Sequence, residues 1–275
     1  MPPRTDGDSP QGDSLDFSRI ESRGSKKPVT TLHFNGLRTC KRATYVESNQ
    51  RYWNWVIRYA EQKVRASQDW FQDVTIVTWN NRAVPCLLER FAAHACIPIT
   101  VLGRELSVWQ NAYKLLTTFD YLRSCPTRYV LCLDGDDCLL LNSPQSAIRL
   151  LHEKGSAILF GAVPTMHPRS LSIQKDFEAG TAPRDAPAKY LNSGQCIIDV
   201  QEGRDLFEEA LHTPGLHSNS CDQDRWHQLL VRYPTTIQLD YYGDVFVVCN
   251  AWTDCRNLLA FRRDLNLDST SAGVD

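Results

Sequence analysis

Tyr129-Val130-Leu131-Cys132-Leu133-Asp134-Gly135-Asp136 runs apolar and then ends abruptly in acid, with Asp137 next in line. A short apolar run closed by turn residues predicts a strand covered on both faces. Strands of that kind deliver ligand-binding groups at their carboxyl ends. The carboxylates of Asp134, Asp136 and Asp137, crowded at such a point, raise one another's pKa unless a positive charge sits among them. A divalent cation with oxygen ligands meets that need; a charged loop that merely caps the strand is the alternative. Gly135 lets the backbone bend, and Cys138-Leu139-Leu140-Leu141 returns the chain to the core at once.

Outward from this strand, Val74 to Thr78 predicts a parallel-type strand, Leu87 to Ala95 a helix, and Ile99 to Leu102 a second strand ending at Gly103. Asn111 to Arg123 carries Ala112, Leu115, Leu116, Phe119 and Leu122 on one side, which predicts a helix feeding the acidic strand. Alternating strands and helices are the pattern of an α/β protein with crossover connections. This half is expected to bind a nucleotide or other phosphate-bearing ligand. Downstream, Ser146 to Lys154 predicts a helix and Ser156 to Ala162 a strand. Pro164 to Lys189 lacks periodicity and is expected to be a long loop or lid. Tyr190 to Gly194 then precedes an apolar strand from Gln195 to Val200. Helices over Arg204–His212 and Asp222–Tyr233 and strands over Ile237–Asp240 and Val245–Cys249 complete the series. Upstream, Pro28 to Phe34 predicts a strand closed by Asn35-Gly36, and Asn49 to Ala66 an amphipathic helix.

The chain of 275 residues has a formal charge of −2 and no basic stripe, which gives no electrostatic case for nucleic acid or an anionic membrane. No stretch approaches the length of a bilayer span. Residues 1–27 are rich in Ser, Asp, Gly, Pro and Arg without an apolar core, so they are expected to be a disordered leader rather than a secretory signal. The 10 cysteines are scattered and form no CxxC pair. With Cys132, Cys138, Cys196 and Cys249 inside apolar runs, they are expected to be reduced thiols in a cytoplasmic protein, with no structural zinc site.

Taken in order, these pieces resemble the glycosyltransferase domain of the procollagen lysyl hydroxylases and their microbial relatives, which has a GT-A-type fold. The resemblance covers roughly residues 72–250 and implies a single GT-A-like domain over 28–262, a mixed sheet flanked by helices, with a flexible tail over 263–275. Val74 to Thr78 is similar to the family's opening strand, which implies that Val77 and Thr78 lie against the nucleotide base. Val101-Leu102-Gly103 is similar to its VLG turn, so Leu102 and Gly103 join the donor site. Trp109, Asn111 and Lys114 match the region where the family keeps a lysine at a helix start, and Lys114 is implied to reach the diphosphate. Leu133 to Asp137 resembles the strand-end D-x-x-D, implying that Asp134 and Asp137 hold manganese or magnesium; Asp136 stands where other GT-A enzymes place the second acid, so the choice between Asp136 and Asp137 is open. Asn192-Ser193-Gly194 resembles the segment that packs on the donor sugar. Cys221-Asp222-Gln223 resembles the family's D-D-Q with its first acid lost, and implies catalytic work for Asp222, with Asp224 in reserve. Leu239-Asp240 through Phe246 is similar to a late LD…F segment.

The family's third metal ligand is a histidine near its C-terminus, and no histidine comes after Asp240 here. Leu32-His33-Phe34-Asn35-Gly36 resembles that histidine motif at the other end of the chain, and Tyr45 to Val56 resembles the aromatic-rich segment on the C-terminal side of that motif in the family. A circular permutation, with residues 28–66 as the displaced C-terminal segment, would return His33 to the metal; an ordinary strand histidine, or the remnant of a lost domain, is the alternative. Termini that lie close together make such a rearrangement tolerable.

The implied activity is a metal-dependent hexosyltransferase that moves sugar from a UDP-sugar to an acceptor hydroxyl, with neither sugar nor acceptor legible. Trp79 and Trp109 are candidates to stack on uracil or sugar, or to pack in the core. The remaining histidines have no evident partners in sequence. Two rivals stand beside this reading. A haloacid-dehalogenase-type phosphohydrolase would use Asp134 as nucleophile and Asp136 as acid and base. A non-catalytic UDP-sugar-binding relative would explain the lost acid before Asp222.

Overall fold

Strand β4 (Tyr129–Leu133) is buried at every residue because its two faces serve two separate cores. Tyr129, Leu131 and Leu133 pack with Leu88, Phe91 and Leu140, whereas Val130 and Cys132 pack with Leu115, Phe160 and Trp226. This is the period of two expected of a strand sandwiched between layers. The computed structural model describes residues 30–33, 57–58, 60–61 and 64–248. The leader, the tail, the Asn35-Gly36 turn, Tyr45 to Val56, Cys249 and most of the helix expected over 49–66 lie outside the described residues; 57–58 and 60–61 are helical.

Around β4 the main sheet runs β3 (Thr100–Leu102), β2 (Val74–Trp79), β4, β7 (Tyr190–Asp199), β6 (Ile158–Val163), β8 (Ile237–Asp240). β2, β3 and β4 are mutually parallel. Their connections are α1 (Leu87–Ala95) and α2 (Tyr113–Leu122), which cover opposite faces: Leu88 and Phe91 enter the first core, Leu115 and Leu122 the second. β7 is antiparallel to both β4 and β6, so the sheet is mixed. α3 (Gln145–Glu153) adds to the first core; α5 (Val200–His212) and α6 (Asp222–Arg232) add Phe207, Trp226 and Leu229 to the second.

A smaller sheet lies over the carboxyl end of β4. β1 (Thr31–His33) is its middle strand, antiparallel to β5 (Cys138–Leu140) and parallel to β9 (Phe246–Val248). The first and last described strands are therefore neighbours. A hydrogen bond from Thr31 Oγ1 to Gln195 Oε1, 2.5 Å, ties β1 to β7 of the main sheet. Two mixed sheets flanked by helices form a mixed α/β layout, the class that the sequence reading expects.

The structure corrects the expected layout in two places. Pro164 to Lys189 is not simply a loop: it contains α4 (Ser172–Thr181). That helix escapes a periodicity test because its buried residue is an acid, Glu178, rather than an apolar stripe. Asn192-Ser193-Gly194 does not precede the strand but lies inside the ten-residue β7, and the pairing with β6 slips in register at Phe160/Gly161. Among the described residues, no helix is long and apolar enough to cross a membrane.

Candidate metal and donor site

Because β2, β3 and β4 are parallel, their carboxyl ends at Trp79, Leu102 and Leu133 open on one edge of the sheet. The acidic turn Asp134–Asp137 hangs from that edge. The Asp134 N–H donates to the carbonyl of Gly194 at 2.8 Å, and the Leu88 N–H at the start of α1 donates to the carbonyl of Gly135 at 2.8 Å, so the turn is fastened on two sides. Gly194 is required for the approach: a Cβ there would lie 2.2 Å from His33 Cε1 and 2.8 Å from Asp134 Oδ2. Gly135 is packed as tightly, its absent Cβ facing Cys86 Sγ at 2.7 Å.

β1 carries His33 into this corner, where the side chain is buried. Its Nε2 lies 3.2 Å from Asp137 Oδ1 and 3.8 Å from Asp134 Oδ2. Its Nδ1 lies 3.0 Å from Asn192 Oδ1. That same oxygen accepts the Gly194 N–H at 3.0 Å, which fixes the amide's orientation and makes Asn192 the acceptor. His33 Nδ1 therefore carries a proton, and Nε2 is the nitrogen left facing the carboxylates. A metal-binding histidine is held in one tautomer by just such an outer partner. Burial works against a charged imidazole, but Asp137 and then Asp134 outweigh it, and the His33 pKa stands above its ordinary value. His33, Asp137 and Cys138 place one ligand atom each within 4.8 Å of one another.

Lys114, at the start of α2, is buried and forms an ion pair with Asp134 Oδ1. Burial alone would lower its pKa; Asp134, Asp222 and Asp137 reverse the effect and raise it. Asp222, buried at the start of α6, thus belongs to the same electrostatic group. For Asp134 the balance runs the other way. Burial and the nearby Asp137 raise its pKa, against the pull of Lys114 and His33. An acid-rich cluster held together with one lysine and one histidine is short of positive charge, and the His33 imidazole beside the Asp137 carboxylate offers donors that suit a divalent cation.

No known family profile matches the chain, and no curated protein does. Among solved structures, the apo form of mouse xyloside xylosyltransferase 1 is similar, at 14% identity, covering 76% of this chain and 82% of that chain, with a TM-score of 0.34. A likeness this distant says nothing about substrate.

Several residues expected at the site are engaged elsewhere. Asp136 accepts from Arg82 Nη2 at 2.5 Å, whereas Asp137 Oδ1 lies 3.2 Å from His33 Nε2. Asp224 is fully buried and accepts the backbone N–H groups of His217 at 2.5 Å and Ser218 at 3.3 Å, which anchors the loop before α6. The Ser193 hydroxyl donates to Gln223 Oε1 at 3.3 Å. Val77 packs in the second core, and Thr78 Oγ1 donates to the Leu133 carbonyl at 2.8 Å and lies beside Gly135 of the acidic turn. The Leu102 carbonyl accepts the Asn80 N–H at 3.0 Å, and Gly103 turns the chain away at a φ of 82° beneath Trp109. Trp79 is buried, donates from Nε1 to Thr118 Oγ1 at 3.0 Å, and has Lys114 Nζ 5.1 Å from its ring centroid.

Other contributors were not legible. Asn192 was expected to bind sugar, not to orient His33. Gln223 and His227 both reach the His167 carbonyl, at 2.6 and 3.0 Å, and His227 is also paired with Glu178 of α4. This buried polar group secures the expected lid segment to α6. Buried polar residues leave no periodic signal, which is why His227 read as an unpartnered histidine.

Proposed function

We propose that this protein is a divalent-metal-dependent glycosyltransferase that takes a UDP-hexose as donor and passes the sugar to an acceptor hydroxyl. The observation that carries the reading is the convergence of His33, Asp134 and Asp137 at the carboxyl end of β4, with Lys114 and Asp222 alongside. Imidazole plus carboxylates favours Mn²⁺, with Mg²⁺ as the harder alternative. A bound cation would neutralise charge developing on the departing diphosphate.

The chain's own residues take distinct parts. His33 offers Nε2 as a ligand because Asn192 occupies Nδ1. Lys114 favours the ionised form of Asp134 against burial and adds positive charge beside the path of the phosphates. The absence of a side chain at Gly194 lets His33 and the acidic turn meet closely. Asp222 is the carboxylate assigned to the anomeric centre, to hold the sugar or take the acceptor's proton. Strand ends at Trp79 and Leu102 supply a backbone rim for the base. The side-by-side placement of β1 and β9 supports a circularly permuted relationship to the procollagen lysyl hydroxylase-type domain, with β1 supplying the histidine that the resemblance places near that domain's C-terminus.

The Asp136–Arg82 pair weighs against a haloacid-dehalogenase-type phosphohydrolase, in which Asp136 would relay a proton to the leaving group. The test is release of UDP from a panel of UDP-hexoses with Mn²⁺, for the wild type and Asp134→Asn. Slow hydrolysis of one donor, lost in the variant, is the expected result. Phosphate release from phosphomonoesters through a trapped aspartyl-phosphate would replace this reading with the phosphohydrolase. UDP bound tightly with no turnover of any donor would make the protein a non-catalytic relative.

A further inference from the structure

The corner that holds His33 contains a soft donor for which the proposed sugar transfer has no use. Cys138 opens β5 directly opposite His33 in the antiparallel pair with β1, and directly opposed residues project on the same face of a sheet. Its thiol is free and fully buried. Cys138 Sγ, a His33 ring nitrogen and an Asp137 carboxylate oxygen all lie within 4.8 Å of one another. The thiol donates to the carbonyl of Gly194 at 3.5 Å, a bond that it gives up when it loses its proton to a metal.

We propose that this corner is a mixed nitrogen, oxygen and sulfur site, in which Cys138 becomes a ligand for borderline and soft cations such as Zn²⁺, Co²⁺ and Cd²⁺, while Mn²⁺ uses only the harder donors. The inference rests on the metal-site reading above. Thiolate selects softer metals, whereas carboxylate suits Mn²⁺ and Mg²⁺. Donors on one tetrahedral zinc at about 2.0–2.3 Å sit roughly 3.5 Å apart, so side-chain adjustment alone closes the present spacing around an ion. The thiol proton leaves to solvent as the metal–sulfur bond forms, and thiolate with Asp137 balances the cation's charge. Zn²⁺ and Mn²⁺ would then compete for one place, which makes the protein sensitive to free zinc.

Co²⁺ is the probe, added to the full-length protein under reducing conditions. The wild type is expected to develop a near-ultraviolet sulfur-to-cobalt charge-transfer band that Zn²⁺ abolishes and that Mn²⁺ displaces at higher concentration. Cys138→Ser should lose the band and bind Co²⁺ more weakly, while Mn²⁺ binding, measured by its paramagnetic resonance, persists. Cys138→Ala provides a second variant if the serine hydroxyl is not tolerated in the core, and melting curves establish that each is folded. A band that survives in a folded Cys138 variant, or cobalt binding to the wild type with no sulfur band, would overturn the assignment of Cys138 while leaving the Mn²⁺ site intact. Failure of Co²⁺ and Mn²⁺ alike to bind the wild type would overturn both.

Discussion

His33 Nδ1 stands 3.0 Å from Asn192 Oδ1, a contact that spans 159 residues of sequence. It joins the first described strand to the central antiparallel strand and leaves Nε2 pointing at Asp137, 3.2 Å away. Removing an outer partner of a metal-bound histidine typically costs about 10–100-fold in affinity. Asn192→Ala is therefore expected to weaken Mn²⁺ binding by about that factor without loss of fold, as read from free Mn²⁺ by paramagnetic resonance. Unchanged affinity would show that the imidazole needs no such support.

Gly194→Ala tests the closeness of the two layers. The added methyl would fall 2.2 Å from His33 Cε1, and β1 and β7 are joined there by the Thr31–Gln195 and His33–Asn192 contacts. Overpacking of this kind costs about 1–3 kcal/mol. The variant should melt earlier and bind Mn²⁺ poorly, because His33 or Asp134 must move. A protein that melts and binds as the wild type does would mean that the two layers separate more easily than this spacing requires.

The main strands and α1 to α3 were legible because they carry apolar periodicity: Leu131 against Val130, Leu88 and Phe91 on α1. The acid at the end of β4 was equally plain. What escaped was polar or long-range. α4 hides its anchor in Glu178, and Asp224 looks like a helix-start acid until its loop contacts are seen. The choice between Asp136 and Asp137 could not be made from spacing, since a tight turn aims neighbouring side chains apart and Arg82 claims one of them. His33 drew attention only through a motif, whereas its partner Asn192 gave no sign, because a hydrogen bond between distant strands has no local pattern.

Asp240 provides a pH test away from the metal corner. Burial pushes its carboxyl up to about 6, even though it accepts the backbone N–H groups of Asp244, Val245 and Phe246 at 2.9, 2.8 and 2.8 Å. The ordinary value is 3.8. Between those values the folded protein keeps a proton that the unfolded chain has lost, so stability falls as pH rises from about 4 to about 6 and levels off above. The melting advantage of the wild type over Asp240→Asn should shrink across that window. A difference that is flat or grows with pH would contradict the assignment.

Thr31→Val removes the hydroxyl that meets Gln195 Oε1 while keeping the shape of the side chain. Gln195 Nε2 has no hydrogen-bond partner among the described residues, so the substitution strands the whole amide in the core. The expected loss is about 1–3 kcal/mol, which for a domain of this size lowers the melting midpoint by roughly 2–4 °C per kcal/mol. Gln195→Leu in the same background should recover part of it, since two apolar groups leave nothing unpaired. No recovery would indicate that the pair matters for strand placement rather than for polar satisfaction.

The most direct measurement is calorimetric titration of the full-length protein with UDP, with and without Mn²⁺, beside Asp134→Ala and His33→Ala. A metal centre built from β1 and the acidic turn predicts UDP binding that depends on Mn²⁺ and is lost in both variants, with each variant still folded by its melting curve. UDP binding that ignores the metal, or that survives in His33→Ala, would contradict a metal centre completed by the N-terminal strand.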